Sequence, residues 1–233
     1  ALSGGGLQGF AHIGAIRALE ELEIKNIEYI SGTSTGSIAA SLYAMGFDTY
    51  EMEKILEKDY KKLMKIKKRV FLKMAWNYIF TKQTKTEGVI DGKVVEDFIN
   101  NQAIKKSIKN INDIKHKKLA IVTVDTKSIK ECIFISDKLE NNGENVNYIG
   151  NIEIGTAVRA SMAFPGIFTT TNYKDYNFID GGTVDNLPTK VLKDMGAEKT
   201  IALSFKIDDY EPKEEKKYEE TIIAKDDSKM KNE

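Results

Sequence analysis

The sequence has little cysteine, no long apolar run and no net charge. Its one cysteine, Cys132, excludes an internal disulfide and agrees with a reducing compartment. No run of about eighteen apolar residues occurs, so no membrane-spanning helix is predicted. The 35 basic and 35 acidic residues balance, which gives no reason to expect nucleic acid as a partner. We therefore expect a cytoplasmic protein.

The length of 233 residues fits one domain with a full hydrophobic core, which we place at residues 1–205. Residues 206–233 are rich in charge and poor in large apolar side chains, which predicts a mobile or helical tail outside that core. The chain begins at Ala1 without a methionine, and its first two residues are typical of the end of a strand. We expect a first half-strand or a signal peptide before it, which leaves secretion open as an alternative.

A glycine-flanked serine follows a short apolar strand at 27–30. Gly32, Ser34 and Gly36 form the pattern G-x-S-x-G, in which the glycines leave room for a sharp strand-to-helix turn that exposes the serine hydroxyl. The small residues after this turn are typical of a helix start, and a helix N-terminus favours negative charge nearby. Ser34 is therefore a candidate nucleophile.

A second glycine-rich loop lies near the beginning of the chain and has two interpretations. Gly4, Gly6 and Gly9 match G-x-G-x-x-G, the loop that binds a dinucleotide phosphate, which would make the protein a nucleotide-binding module. That interpretation needs an acidic residue at the end of the second strand, but Glu28 lies too early in it. In the other interpretation the amides of Gly4, Gly5 and Gly6 form an oxyanion hole that faces the serine.

A serine hydroxyl needs a base, and the sequence has only two histidines. His116 lies in a lysine-rich connector, where we expect it in solvent. His12 precedes the serine on the first helix, where a structural role is the more common one. A carboxylate is then the remaining base. Asp180 ends a predicted strand and is followed by two glycines that permit close approach of another backbone, whereas Asp175 and Asp185 are competing turn residues nearby.

The middle of the chain, residues 48–118, is interpreted as a helical insertion that caps the site. Asp48 is predicted to cap a helix with apolar residues at three- and four-residue spacing and lysines on its other face. Such a basic amphipathic segment can lie on an anionic membrane surface, and an ordinary cap helix with solvated lysines is the simpler alternative.

The remaining elements follow from periodicity. Apolar runs predict strands at 119–124, 132–136, 176–179 and 200–205. Helical spacing predicts helices at 93–99, 152–162 and 189–195. Two polar segments, 100–118 and 139–150, are predicted to be a surface connection and a loop.

Four blocks of the sequence resemble the signature blocks of the patatin-like phospholipases, and they occur in that family's order. The blocks are Ser3–Gly9, Gly32–Gly36, Arg159–Phe168 and Asp180–Pro188. Together they span nearly the whole predicted domain and are far more specific as a set than any one of them.

This resemblance implies an α/β fold, a three-layer α/β/α sandwich with a central, mostly parallel sheet. It also implies hydrolysis of acyl esters of phospholipids or other lipids by a serine–aspartate dyad that needs neither histidine nor a metal or organic cofactor. Carried over to this sequence, Ser34 is the nucleophile, Asp180 is the base, and Gly4, Gly5 and Gly6 form the oxyanion hole.

One position departs from the family pattern. Gln8 stands where family members usually have lysine or arginine, so the glycine loop here lacks a positive charge. A lipid-binding protein with the same fold and no activity is therefore a further alternative to the hydrolase. The sequence does not predict a headgroup, an acyl-chain length or an oligomeric state.

Overall fold

The structure, a computed structural model, describes residues 1–24, 26–58, 91–137, 139, 146–205 and 223–224. Its strands are β1 (Tyr29–Thr33), β2 (Lys118–Asp125), β3 (Lys130–Ile135), β4 (Val146–Ile149), β5 (Thr171–Tyr173), β6 (Tyr176–Asp180), β7 (Ala202–Leu203) and β8 (Ile223–Ala224). Its helices are α1 (Ala11–Glu21), α2 (Thr35–Ala44), α3 (residues 49–58), α4 (Lys93–Lys105), α5 (Ile154–Ser161) and α6 (Thr189–Asp194).

The strands form a mixed sheet around β2. This strand pairs in parallel with β1 and antiparallel with β3 and β6, while β3 pairs in parallel with β4 and β5 pairs antiparallel with β6. Leu2 bridges β1 and β7 in parallel, and β8 pairs in parallel with β7. Two of the three antiparallel pairs, β2–β3 and β5–β6, are hairpins, whose strands are joined by short turns.

Helices cover both faces of this sheet. Leu119 and Ile121 of β2 pack in one apolar cluster with buried residues of α2, α4 and α5. Ala120 and Val122 pack in a second cluster that includes Leu192 of α6. Because alternate strand residues point to opposite faces, β2 is buried on both sides, as its continuous apolar run predicts. The predicted α/β/α class is confirmed.

The prediction of a surface connection at 100–118 is wrong. Helix α4 continues to Lys105, and the chain after it buries Ile108, Ile111 and Ile114 in the core. Their three-residue spacing puts them on one side of a compact turn, which Asn110 closes with a capping box. The scattered isoleucines of this polar stretch are therefore core residues.

Two further predictions need correction. The predicted loop at 139–150 contains β4, which extends the sheet beside β3. The predicted tail contributes Ile223–Ala224 to the sheet as β8, while residues 206–222 and 225–233 lie outside the described residues. Short strands of this kind are formed by pairing with a neighbouring strand, and their own sequence carries little signal.

Part of the predicted insertion can be compared with the structure. Asp48 and Glu51 form a reciprocal cap at the start of α3, with Glu51 N–H to Asp48 Oδ1 at 2.8 Å and Asp48 N–H to Glu51 Oε2 at 3.0 Å. The predicted amphipathic helix continues into residues 59–90, which lie outside the described part of the chain. Its role in capping the site stays a prediction. Within the described ranges, no helix has the length and apolar character needed to cross a membrane.

The register of β2 is what brings the candidate site together. Thr33, the last residue of β1, pairs with Val122. Asp180, the last residue of β6, pairs with the next residue, Thr123. Two strands that run in opposite directions therefore end beside each other on one edge of β2, and Ser34 follows directly after Thr33.

Candidate active site

Ser34 occupies a strained turn between β1 and α2. Its backbone has φ 52° and ψ −125°, outside the regions that non-glycine residues ordinarily adopt. The turn is tight because a Cβ on Gly32 would lie 2.6 Å from the carbonyl oxygen of Gly36, and a Cβ on Gly36 would meet the carbonyls of Leu2 and Ser3. Ser34 is partly exposed, whereas the residues on either side of it are buried.

The backbone of Ser34 is held at both ends. Its N–H donates to Ser161 Oγ at 2.9 Å, and its carbonyl accepts from the hydroxyl of Ser37 at 2.5 Å and from the Ser37 N–H at 2.9 Å. Ser37 and Ser161 are both fully buried. These bonds fix the strained turn through its backbone and do not use the Ser34 hydroxyl.

Asp180 is buried at the end of β6, with 1% of its surface exposed. Its Oδ1 accepts the N–H of Gly182 at 2.7 Å. Its Oδ2 has no hydrogen-bond partner within ordinary distance and angle limits in the described part of the chain. Burial raises the pKa of Asp180, while the nearby side chain of Ser34 and the amide of Gly182 lower it in part. The structure thus places this carboxyl beside the Ser34 hydroxyl.

The two competing acids lie elsewhere. Asp175 is exposed in the β5–β6 turn, at the opposite end of β6 from Asp180. Asp185 accepts the N–H of Leu187 at 3.2 Å, and burial raises its pKa. For neither carboxylate does the described structure show a bond to Ser34.

Neither histidine is placed as a base for Ser34. The His12 ring is buried, its Nε2 lies 2.8 Å from the Ser3 carbonyl, and it packs against Phe205 with ring centroids 4.5 Å apart. Nε2 must carry the proton in this contact because the carbonyl can only accept. Burial lowers the pKa of His12. His116 is exposed, as predicted from its connector.

The glycine loop is tied to both neighbouring loops. The N–H of Gly4 donates to the carbonyl of Asn186 at 3.2 Å, and Asn186 Nδ2 donates back to the Gly4 carbonyl at 3.3 Å. The N–H of Gly5 donates to Thr35 Oγ1 at 3.2 Å. Gly6 is exposed and has φ +58°, which favours glycine. Of the three predicted oxyanion-hole residues, Gly4 and Gly5 therefore already have acceptors within the protein.

The described residues contain no group of three histidine, cysteine, aspartate or glutamate side chains that could hold a metal ion. Cys132 is a buried residue of β3, and burial raises the pKa of its thiol to about 11. A buried thiol with a raised pKa is a poor nucleophile at neutral pH.

A comparison with protein families decides the assignment of the chain. The model of the family described as patatin-like phospholipase matches residues 1–193, which is most of the sequence. The chain belongs to the patatin-like phospholipase family. The family prediction is therefore confirmed.

Several known proteins are similar to this patatin-like chain. An uncharacterized protein of Acanthamoeba polyphaga mimivirus is 31% identical over 209 residues, which cover 88% of this chain and 64% of that protein. The lysophospholipase NTE1 of Yarrowia lipolytica is 28% identical over 218 residues, 91% of this chain and 13% of that protein. Among solved structures, VipD from Legionella pneumophila has a TM-score of 0.49 and 21% identity, with 80% of this chain and 46% of that chain covered. The patatin-like chain spans only part of the length of each.

Three residues that brace this patatin-like site were not singled out by sequence reasoning. Thr35, Ser161 and Asn186 bond the backbone of Gly5, Ser34 and Gly4, respectively. Each lies in one of the four signature blocks, and membership of a block is the sequence signal that could have identified them. Gln8, the position that departs from the family pattern, is exposed.

A cavity of about 690 Å³ among the described residues is separate from this site. Its lining includes Leu2, Tyr29 and Ile201 and contains neither Ser34 nor Asp180. Ser34 lies after the opposite end of β1 from Tyr29, so this cavity is not part of the candidate active site of the patatin-like chain.

Proposed function

We propose that the protein is a carboxylic ester hydrolase that cleaves fatty-acyl esters of lipids, with Ser34 as the nucleophile and Asp180 as its base. One observation carries this proposal. The buried carboxyl of Asp180, whose Oδ2 has no ordinary hydrogen-bond partner in the described structure, lies beside a serine held in a strained turn. Strained backbone and a shifted pKa at the same place are typical of functional sites.

In the proposed first step, Asp180 Oδ2 accepts the proton of the Ser34 hydroxyl as its oxygen attacks the ester carbonyl. Burial raises the pKa of Asp180, which makes the carboxylate a stronger base than an exposed aspartate. The tetrahedral intermediate then collapses to an acyl-serine, and the protonated Asp180 returns the proton to the leaving alcohol. Water, activated by the same carboxylate, releases the fatty acid and restores Ser34.

The negative charge of the tetrahedral intermediate requires donors, which we assign to the glycine loop, through the amides of Gly5 and Gly6, and to the N-terminus of α2. Helix α2 begins at Thr35, directly after the nucleophile, so its dipole favours an anion there. The Gly5 amide donates to Thr35 Oγ1 at 3.2 Å, a long hydrogen bond that a stronger bond to the oxyanion would replace. The Gly4 amide bonds a backbone carbonyl and supports the loop.

For the substrate class we propose glycerophospholipids with one or two acyl chains. The family is described as phospholipases, and the relative from Yarrowia lipolytica is named a lysophospholipase. Such substrates lie in membranes or micelles, so we also propose contact with a lipid surface. Most of the lysine-rich segment predicted to make this contact, residues 59–90, falls outside the described residues.

Release of fatty acid from lysophospholipid micelles and phospholipid vesicles tests this function. The wild-type protein should release fatty acid. Ser34→Ala and Asp180→Asn should each reduce turnover by at least about a thousandfold, because loss of one member of a catalytic unit costs nearly as much activity as loss of the whole unit. Retained binding of micelles by an inactive wild-type protein would instead identify a lipid-binding protein. Thermal stabilisation by NAD or ATP, without lipid hydrolysis, would favour the nucleotide-binding module.

A further inference from the structure

One short segment contacts the backbone of both proposed catalytic residues. At the end of α5, Ser161 Oγ accepts the N–H of Ser34 at 2.9 Å. Two residues later, the carbonyl of Ala163 accepts the N–H of Asp180 at 3.0 Å. Ser34 and Asp180 lie on different strands, and residues 161–163 are bonded to both.

This segment is well anchored in the core. Ser161 is fully buried and Ala163 is 1% exposed, and α5 buries Ile154, Ala157 and Val158 against the sheet and α4. The helix ends with the N–H of residue 162 bonded to the carbonyl of Val158 at 3.0 Å. A fixed helix end can therefore define the positions of the two loops that bond to it.

The bond to Ser161 matters because of the conformation of Ser34. At φ 52° the Ser34 N–H lies outside the regular ladders of β1 and α2, and the acceptor that the described structure provides is the side chain of Ser161. This amide is partly buried, so leaving it without an acceptor is unfavourable, and loss of the Ser161 oxygen would shift the turn toward other conformations. Each of these would move the Ser34 hydroxyl away from Asp180.

We propose that Ser161 is a positioning residue that sets the distance between the Ser34 hydroxyl and the Asp180 carboxylate. It acts through the Ser34 backbone and has no contact with the reacting atoms. This inference rests on the proposed function, because positioning has meaning only if Ser34 and Asp180 react. Its structural part, the bond between Ser161 and Ser34, can be measured without activity.

Three variants test the positioning role. Ser161→Ala removes the acceptor and leaves a small space, whereas Ser161→Cys nearly keeps the volume and offers sulfur, a weak acceptor. Ser41→Ala is the matched control, because Ser41 is equally buried and its hydroxyl has no hydrogen-bond partner in the described structure. The readouts are kcat and KM on a soluble p-nitrophenyl ester and hydrogen exchange of the Ser34 amide by NMR.

Both Ser161 variants should lower kcat by roughly ten- to a hundredfold, the equivalent of one unsatisfied buried donor, with KM changed by less than about twofold. The Ser34 amide should exchange faster in both, and Ser41→Ala should match the wild type. An unchanged kcat in the Ser161 variants overturns the proposal. Loss in Ser161→Ala alone, with Ser161→Cys like the wild type, also overturns it, because packing would then explain the effect.

The outcome also separates this inference from the proposed function. An inactive Ser34→Ala beside fully active Ser161 variants overturns the positioning role and leaves the hydrolase intact. Hydrolysis that persists in Ser34→Ala overturns the proposed function, and the positioning role with it.

Discussion

At the residue scale, the site has a buried carboxylate beside a serine in a strained turn. Both features are unfavourable for folding, and both serve the proposed reaction. Asp180 receives one backbone N–H at Oδ1, while Oδ2 is left without an ordinary partner among the described residues. A carboxylate in this setting is a stronger base, at the expense of stability in its ionised form. Both the activity and the stability of the protein should therefore depend on Asp180.

Asp180→Asn should remove turnover and also make the protein more stable at pH 7. Burial raises the pKa of Asp180 above its usual value of 3.8, so the folded protein holds this proton more tightly than the unfolded chain does. Stability from this group is then full below the unfolded pKa and is lost as the pH rises through the folded pKa. Asparagine does not ionise, so the variant avoids this loss.

Thermal melting measures this effect, and each kcal/mol gained should raise Tm by about 2–4 °C in a protein of this size. The difference between variant and wild type should shrink as the pH falls toward 3.8, where the wild-type carboxyl is protonated as well. A variant that melts below the wild type at pH 7 would contradict the account.

The pH dependence of kcat/KM should show an acid limb that belongs to Asp180. Only the carboxylate form can accept the Ser34 proton, and burial raises the pKa of Asp180, so activity should rise with pH through a value above 3.8. Asp185→Asn is the control, since burial raises the pKa of Asp185 as well but its carboxylate is bonded to Leu187. Loss of the limb in Asp185→Asn would show that the wrong acid has been assigned.

Local sequence signals are sufficient to predict Ser34 and Asp180 as candidates, because each stands next to glycines that a sharp turn requires. The residues that hold them are different. Ser161 lies 127 residues from Ser34, and Asn186 lies 182 residues from Gly4. No local pattern specifies which distant side chain will form a hydrogen bond with a given backbone group, so these contacts could not be predicted from the sequence.

At the scale of elements, the strand-to-helix turn and the helix pair α4–α5 determine how firmly the site is held. The turn depends on close backbone approach at its glycines, whereas α4 and α5 are linked by side chains. Arg159 of α5 bonds Glu96 of α4 at 3.0 Å and Asp91 at 2.6 Å. Because Ser161 is on the same helix as Arg159, this linkage supports the residues that contact Ser34.

Two glycine substitutions should have opposite effects on stability. Gly14→Ala should stabilise the protein by roughly 0.5–1 kcal/mol, because alanine is the better helix former and the added Cβ would have no atom within 4 Å. Gly32→Ala should destabilise it by more than this, because its Cβ would lie 2.6 Å from the Gly36 carbonyl. Urea unfolding measures both, and a neutral Gly32→Ala would show that the turn can relax.

A double-mutant cycle on Glu96 and Arg159 should give a coupling of about 0.5–3 kcal/mol, typical of a partly buried pair. Their side chains are 10% and 19% exposed, whereas Glu153 and Lys109, the control pair at 3.5 Å, are 44% and 75% exposed. The control coupling should stay within about 1 kcal/mol. Equal couplings for the two pairs would contradict this ranking.

The coupling energy between Glu96 and Arg159 should depend on pH, and the shifted pKa of Glu96 gives its direction. Burial alone would raise the pKa of Glu96, but hydrogen bonds from Lys93 and Arg159 outweigh it and the net pKa is lowered. Stability from Glu96 is therefore present above its unfolded pKa and is lost as the pH falls through the folded pKa. The Glu96–Arg159 coupling should accordingly weaken in acid.

Helices and strands are predictable where the periodicity of apolar residues is strong. They are missed where pairing with a neighbouring strand determines the structure. β2 and β3 each contain a run of mostly apolar residues, and α5 has clear helical spacing, so all three are predictable. β4 is a four-residue strand in an asparagine-rich stretch, and its partner β3 specifies it. Burial of Ile108, Ile111 and Ile114 likewise depends on neighbours that a single polar window does not reveal.

At the scale of the whole molecule, the sheet brings together blocks that lie far apart in the sequence. Consecutive residues of β2, Val122 and Thr123, pair with Thr33 and Asp180. The loop after Asp180 is then fastened to β1, because Ser31 Oγ donates to the Pro188 carbonyl at 2.6 Å and Thr33 Oγ1 to the carbonyl of Asp185. The order of the blocks is evident from the sequence, whereas this register is not.

Mapping the adduct of a fluorophosphonate probe by mass spectrometry is the most direct test of a serine activated by aspartate alone. The wild type and His12→Gln, which keeps a donor for the Ser3 carbonyl, should be labelled on Ser34 at similar rates. Labelling should be absent in Ser34→Ala and at least about a hundredfold slower in Asp180→Asn. An adduct on another serine, or labelling that depends on His12 and not on Asp180, would contradict the account.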